Sequence, residues 1–366
     1  MRILYLCKRQ YMGHDVIVDK YARLYEQPYQ LAQLGNDVLG VCLSYRNCSK
    51  KDEIHTTDKG SLRWIGLSSG KSRLQILFYP TQLLNIVRNF KPDIIVGASD
   101  CLHVVLAYQI SKKINVKFAV DLYDHFESFG LARIPFLKYF YKSAIRNACA
   151  VTCVSEPLMD LIKNTYKAKG KVLTLHSTID KDLFYYKDKQ DCRKQLGLPL
   201  HAQLIGTAGG LSREKGIEPI YNAFLDMKKE NENLHLVLAG IVDSNCPPPS
   251  DVNVHYLGKL PHKDIATLFC ALDVGIVYLR DTPYGRYSFP QKVYEIAACK
   301  IPFVVTNVGI MSTLFEKYEN FLYEPDDNID LAVQIKKQLS APCIYSHPIP
   351  DWKSQAKALE ELYGSI

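Results

Sequence analysis

Short apolar runs of strand length, separated by helical stretches, recur from one end of this chain to the other, and few folds accommodate that rhythm. In the first half Arg2 to Cys7, Val38 to Leu43, Leu62 to Leu67, Asp93 to Gly97, Val116 to Leu122, Ala150 to Val154 and Lys171 to Leu175 read as strands. Helical patterns fill the intervals: about Val16 to Leu34, Arg73 to Phe90, Leu102 to Ile110, Phe136 to Ala148, and a helix opening at Ser155, where Ser-Glu-Pro matches a capped start. Pro80 should end or kink its helix, and the polar stretch Tyr45 to Gly60, without periodicity, reads as loop. Strand, helix and strand repeated in this way build a parallel, doubly wound sheet.

The rhythm continues in the second half with strands at Gln203 to Thr207, Leu234 to Ala239, Val254 to Leu257, Val274 to Tyr278 and Ile301 to Val305. Helices are expected at Ile217 to Lys229, Ile265 to Ala271 and, after the break at Pro348 to Pro350, Lys353 to Tyr363. A chain of 366 residues exceeds the usual span of one core. The expectation is α/β with two doubly wound domains, residues 1–180 and 203–345, a linker at 181–202 and a terminal helical segment at 346–366.

Composition removes several function classes. Apolar residues make up 47% and charged residues 23%, the balance of a folded protein rather than a disordered one. The eleven cysteines form no C-x-x-C pair, so they read as reduced thiols, the neighbours Cys149 and Cys153 as packing residues. No apolar run approaches the roughly 18 to 20 residues of a spanning helix, and MRILYLC is too short for a secretory signal, which predicts a cytoplasmic location. Residues 1–180 carry 25 Lys+Arg against 15 Asp+Glu, or +10, whereas the rest carry 20 against 23, or −3. The basic half calls for an anionic partner, either membrane headgroups or a phosphate-bearing acceptor. Nucleic acid is not expected, because the sequence offers no recognisable nucleic-acid module and no basic run that reads as interleaved with exposed aromatics.

Two stretches concentrate the chemistry: Gly206 to Ile217, GTAGGLSREKGI, and Pro283 to Thr306, PYGRYSFPQKVYEIAACKIPFVVT. The first reads as strand, glycine turn and helix, the second as loop, helix and strand. A glycine turn frees N–H groups, the helix adds its positive end and Lys215 adds a full charge, a combination suited to a diphosphate.

The GG-x-x-x-x-K-G turn followed by P-x-K-x-x-E-x-x-A resembles the C-terminal half of a family 4 glycosyltransferase with the GT-B fold, strongly from Gly206 to Thr306 and weakly in the first half. The resemblance implies two Rossmann-like domains facing across a cleft, a terminal helix crossing back to the first domain, and transfer of a sugar from a nucleotide diphosphate with retention of configuration. It implies a UDP- or GDP-sugar donor, a glycan or lipid-linked acceptor in surface polysaccharide assembly, and neither cofactor nor metal. The D-x-D at Asp180 to Asp182 falls in the bridge and reads as a polar hinge. Glu295 stands at the second glutamate of the family's donor motif, which holds the ribose, but Tyr287 replaces the first.

Residue by residue, the resemblance puts Lys215 on the donor diphosphate, with Gly209 and Gly210 where the family has a partner arginine; Arg213, Arg286 or Lys292 would substitute. Ser288 belongs to the same Ser-x-Pro-x-Lys pattern, and Gly258, Lys259 and Leu260 stand where the base is held. Gly13 either belongs to a loop near the donor phosphates or marks a plain turn, and Asp124 or His125, beyond the strand that contains Asp121, would face the transferred sugar. Trp352 would anchor the terminal helix or simply pack. Phe136 to Ala148 joins Lys138, Lys142 and Arg146 to aromatic residues, and either lies on a bilayer or packs on the sheet. Two other readings are an inactive nucleotide-sugar-binding partner and a dinucleotide-dependent oxidoreductase, the latter lacking G-x-G-x-x-G after the first strand.

Overall fold

A computed structural model describes residues 1–11, 13–70 and 75–366 and divides the chain into two units. The first comprises Met1–Ser177, Tyr287–Phe289 and Pro350–Ile366; the second comprises Thr178–Arg286 and Pro290–Ile349.

In the first unit the chain runs through β1 (Arg2–Lys8), the short pair β2 (Gln10–Tyr11) and β3 (His14–Asp15), α1 (Ala22–Gln33), β4 (Asp37–Ser44), β5 (Lys51–His55), β6 (Ser61–Ser68), α2 (Gln75–Phe90) and β7 (Ile94–Ala98). It continues with α3 (Cys101–Ile114), β8 (Lys117–Leu122), α4 (Leu137–Arg146), β9 (Ala150–Cys153), α5 (Glu156–Asp160) and β10 (Lys171–Thr174). Among the described residues the strands form one sheet in the order β10-β9-β8-β7-β1-β4-β6-β5, parallel except for β5 against β6. Chain order reverses between β1 and β7, which makes the carboxyl ends of those two strands the switch point, where such sheets receive ligands.

Three expectations change here. The helix expected from Val16 begins only at Ala22, because Lys20 and Ala22 take positive φ of 48° and 54° and a helix cannot run through them. The loop expected from Tyr45 to Gly60 contains β5, whose alternating charged residues suit an exposed edge. Of the two outcomes expected of Pro80, an end to the helix is excluded, since α2 continues to Phe90; the beginning expected at Arg73 lies outside the described residues. Ser155 caps α5 as expected, accepting from the Leu158 N–H at 3.3 Å. Cys153 is buried, but its neighbour Cys149 is exposed rather than packed.

The second unit runs through α6 (Lys189–Leu196), β11 (Gln203–Leu211), α7 (Glu218–Glu230), β12 (Leu234–Val242), β13 (Val254–Tyr256), α8 (His262–Ala271) and β14 (Val274–Val277). Then come α9 (Pro283–Tyr287, its last residue grouping with the first unit), α10 (Lys292–Ala298), β15 (Phe303–Thr306), α11 (Ile310–Leu314), β16 (Leu322–Tyr323) and α12 (Asn328–Ser340). Its sheet is parallel, in the order β13-β12-β11-β14-β15-β16, with the switch between β11 and β14. Ile205, Leu236, Val274, Ile276 and Phe224 fill the core beneath it. Residues 181–202 group with this unit and include α6, whose Arg193 is buried and bonded to Asp273 at 2.8 Å.

The last helix, α13 (Trp352–Gly364), groups with the first unit and packs on α1. Trp352 is buried in its first turn, and Asn36 donates from Nδ2 to the Glu360 carboxylate at 2.7 Å.

Candidate functional site

The second unit's switch point opens because β11 leaves β14 early. Against β12 it pairs along its whole length, from Gln203 opposite Leu234 to Leu211 opposite Val242, but it meets β14 only at Ile205 and Gly206. The expected glycine turn is therefore extended strand: Gly209 and Gly210 lie opposite Gly240 and Ile241, and the chain turns only at Arg213–Lys215. Gly209 and Gly240 have φ of 128° and 132°, and a Cβ on Gly240 would stand 1.7 Å from the Gly209 carbonyl oxygen. Only glycine fits there.

Both expected lysines arrive over this glycine pair. An ideal Cβ on Gly210 would be 2.9 Å from the Lys215 Nζ, and one on Gly209 would be 2.8 Å from the Lys292 Nζ. Side chains at these positions would displace the two ammoniums. Lys215 is exposed at the end of its turn, which Gly216 closes with φ of 89°, whereas Lys292 is half-buried at the start of α10. Burial, then the Lys215 charge, push the Lys292 amine down to about 8, against the pull of Glu295. Arg213 and Arg286 are instead engaged by carboxylates, Glu218 at 2.9 Å and Asp281 at 2.5 Å.

Two residues of the site carried no signal in the sequence. Tyr278, read there only as the end of a strand, donates from its hydroxyl to the Gly210 carbonyl at 2.7 Å and presents its ring 5.2 Å from the Lys292 ammonium. His262, at the start of α8, places Nε2 3.7 Å from the Glu295 carboxylate. Glu295 is 5% exposed and accepts from Gln291 at 3.0 Å, one helical turn beyond Lys292. Gly258, Lys259 and Leu260 follow β13; the Gly258 carbonyl accepts from the Gly240 N–H at 2.7 Å, which ties this loop to the glycine-lined end of β11 and β12.

The remaining expected residues group with the first unit. Gly13, exposed with φ of 85°, turns between β2 and β3. Asp121 is fully buried against the Arg23 guanidinium, with contacts of 2.6, 3.1 and 3.2 Å, and also accepts from the Thr152 hydroxyl at 2.6 Å. That network belongs to the core. Beyond it, Asp124 and His125 are half-buried. His125 Nδ1 lies 2.8 Å from the Ser128 hydroxyl, and its ring is 4.9 Å from that of Tyr287. Burial lowers the His125 pKa; Glu127 works against this, while Lys138 and Lys142 reinforce it. Ser288 is buried, and the Tyr287 carbonyl accepts from the Ser155 hydroxyl at 2.7 Å.

The lysine-lined switch point has the charge to receive an anion, and comparison with known proteins decides the family. One family model, described as Glycosyltransferase Family 4, matches residues 24–183, and a second, Glycosyl transferases group 1, matches 202–341. The chain belongs to glycosyltransferase family 4. A Bacillus subtilis glycosyltransferase named TuaC, for teichuronic acid biosynthesis, is 26% identical over 226 residues, 62% of this chain and 53% of that protein. The chain thus spans about half the length of the curated relatives it matches. Among solved structures, sucrose-phosphate synthase from Thermosynechococcus elongatus has a TM-score of 0.72 at 16% identity, covering 100% of this chain and 94% of that one. Anabaena HepE in complex with UDP has a TM-score of 0.69 at 16% identity, covering 100% of both chains. These likenesses give the family 4 chain the GT-B fold, two Rossmann-like domains.

Proposed function

We propose that this chain is a retaining glycosyltransferase that moves a sugar from a UDP- or GDP-sugar to a glycan or lipid-linked acceptor during assembly of a surface polysaccharide. The observation that carries the reading is the pair of ammoniums, Lys215 and Lys292, over Gly209 and Gly210 at the switch point, with the Glu295 carboxylate one turn away. Two cations above a side-chain-free strand suit a diphosphate, and a buried carboxylate suits two ribose hydroxyls. A uridine donor is favoured by the UDP in the HepE structure, and a polysaccharide product by the name of TuaC.

In this reading Lys292 takes the part the family gives to an arginine. The bond from the anomeric carbon to the diphosphate oxygen breaks as the acceptor oxygen attacks from the same face, and the leaving phosphate oxygen accepts the hydroxyl proton. Lys215 and Lys292 stabilise the charge that develops on the diphosphate. They supply what a divalent cation would otherwise bring, so turnover is expected to survive chelation. His125 or Asp124 orients the transferred sugar.

The test is proton NMR of UDP- and GDP-sugars incubated with the protein. Slow release of sugar that first appears with the donor's anomeric configuration supports the reading, and inverted sugar contradicts it. Tyr287 in place of the first glutamate favours a second reading, an inactive donor-binding partner, which predicts tight binding with no release.

A further inference from the structure

The first unit leaves a run of large apolar side chains in solvent. Within twelve residues, Phe129 is 39% exposed, Ile134 48%, Phe136 78%, Tyr139 72% and Phe140 46%. They are not the unpacked remainder of a loose helix, since Leu137, Tyr141, Ala144 and Ile145 bury the other face of α4. Leu77 and Phe78, in the first turn of α2, are 74% and 64% exposed. Large apolar side chains exposed in such number along short segments point to an interaction site.

Topology places both groups on one rim. The connections β6-α2-β7, β7-α3-β8 and β8-α4-β9 all run the same way across the sheet, so right-handed crossovers put the three helices on one face. α3 packs against both α2 and α4. Each helix starts at the carboxyl edge of the sheet, the edge where a doubly wound unit takes its ligand. The apolar rim therefore borders the mouth of the first unit's binding edge.

Its charge selects the occupant. Arg133 and Lys138 are exposed beside the aromatic residues, with Lys142 and Arg146 following at helical spacing. Glu127 is the one acidic residue from Phe126 to Arg146, and its carboxylate is already engaged, 3.2 Å from Lys138 and 3.5 Å from Lys142. A second copy of the chain would set cation against cation across a twofold axis. An anionic lipid interface accepts aromatic rings and cations together.

We propose that the rim formed by the first turns of α2 and α4 docks on an anionic lipid bilayer, with Phe136, Tyr139 and Phe140 entering the interface and Arg133 and Lys138 meeting lipid phosphates. The inference deepens the lipid-linked acceptor reading, and its test uses neither donor nor acceptor. The full chain is sedimented with vesicles of phosphatidylcholine alone and with phosphatidylglycerol added, and UDP binding is measured on the same preparations. The expected result is capture by the anionic vesicles, weakened by salt and about fivefold weaker for each of Arg133→Gln and Lys138→Gln. A Phe136→Ser, Tyr139→Ser, Phe140→Ser variant should lose capture while keeping its melting temperature, since these side chains are already exposed. Equal capture of wild type and triple variant, or no capture by anionic vesicles, overturns the proposal whether or not UDP binds. Light scattering that finds a wild-type dimer and a monomeric triple variant also overturns it, because the rim would then cover a second copy. Failure of UDP binding with capture intact counts against the donor reading alone.

Discussion

Raising the pH should weaken donor binding through Lys292 in particular. In the free protein its amine is pushed from 10.5 to about 8 by burial and by Lys215, with Glu295 opposing. At pH 7 about nine-tenths of the molecules carry the ammonium, and at pH 9 about one-tenth. A diphosphate beside Lys292 favours the charged form, so binding raises this pKa and takes up a proton. The sign follows: affinity is full below about pH 8 and falls as pH rises through it, reaching about tenfold weaker at pH 9 than at pH 7. Titration calorimetry with UDP from pH 7 to 9.5, in buffers of different ionisation enthalpy, reads both the affinity and the proton uptake. Lys292→Gln should bind more weakly at pH 7 and show a nearly flat profile. Equal affinity at pH 7 and 9, or identical profiles for wild type and variant, would refute the assignment of Lys292 to the diphosphate.

Other expected outcomes follow from the same geometry. Tyr278→Phe keeps the ring near Lys292 but leaves the Gly210 carbonyl without its 2.7 Å donor; UDP affinity should fall by about 0.5–1.5 kcal/mol, read by calorimetry. Glu295→Gln should cost UDP binding about 1.5–3 kcal/mol while changing pyrophosphate binding far less, because the role proposed for the carboxylate is on the ribose. Gly240→Ala drives a Cβ into the Gly209 carbonyl at an unfavourable φ, and should lower unfolding stability by at least about 2 kcal/mol in denaturant titration. Arg23→Met strands the buried Asp121 carboxylate and should cost about 3–5 kcal/mol by the same measurement, with the site proposed for UDP in the second unit left in place.

Most of the α/β rhythm was legible because buried parallel strands are near-continuous apolar runs, as in Ile3 to Cys7 or Leu236 to Ala239. The edge strand β5 was not, since a strand of Lys, Asp, Glu, Ile and His carries a solvent pattern rather than a core one. Periodicity carries helix α1 too far toward the N-terminus because positive φ at Lys20 and Ala22 leaves no mark in residue type; neither is glycine or asparagine. In the site, the types of Lys215, Lys292 and Glu295 were visible, but what brings Lys292 to Gly209 is strand order, which spacing along the chain does not encode. Gly209 and Gly210 looked like a turn because glycine pairs usually are one; here they keep side chains away from two ammoniums and allow β12 to approach. Tyr278 was hidden for a related reason, as an aromatic residue ending an apolar run reads as core until its hydroxyl is seen on Gly210.

In the proposed function the second unit binds a sugar nucleotide through Lys215, Lys292 and Glu295. Thermal stabilisation of the purified chain by a panel of UDP-, GDP-, ADP- and CMP-sugars tests it most directly, with Lys215→Ala and Glu295→Ala alongside. A ligand at about 100 times its dissociation constant should add about 2.7 kcal/mol. A UDP- or GDP-sugar is expected to stabilise the wild type and neither variant; stabilisation by none of the panel, or equal stabilisation of all three proteins, rules out donor binding through these residues.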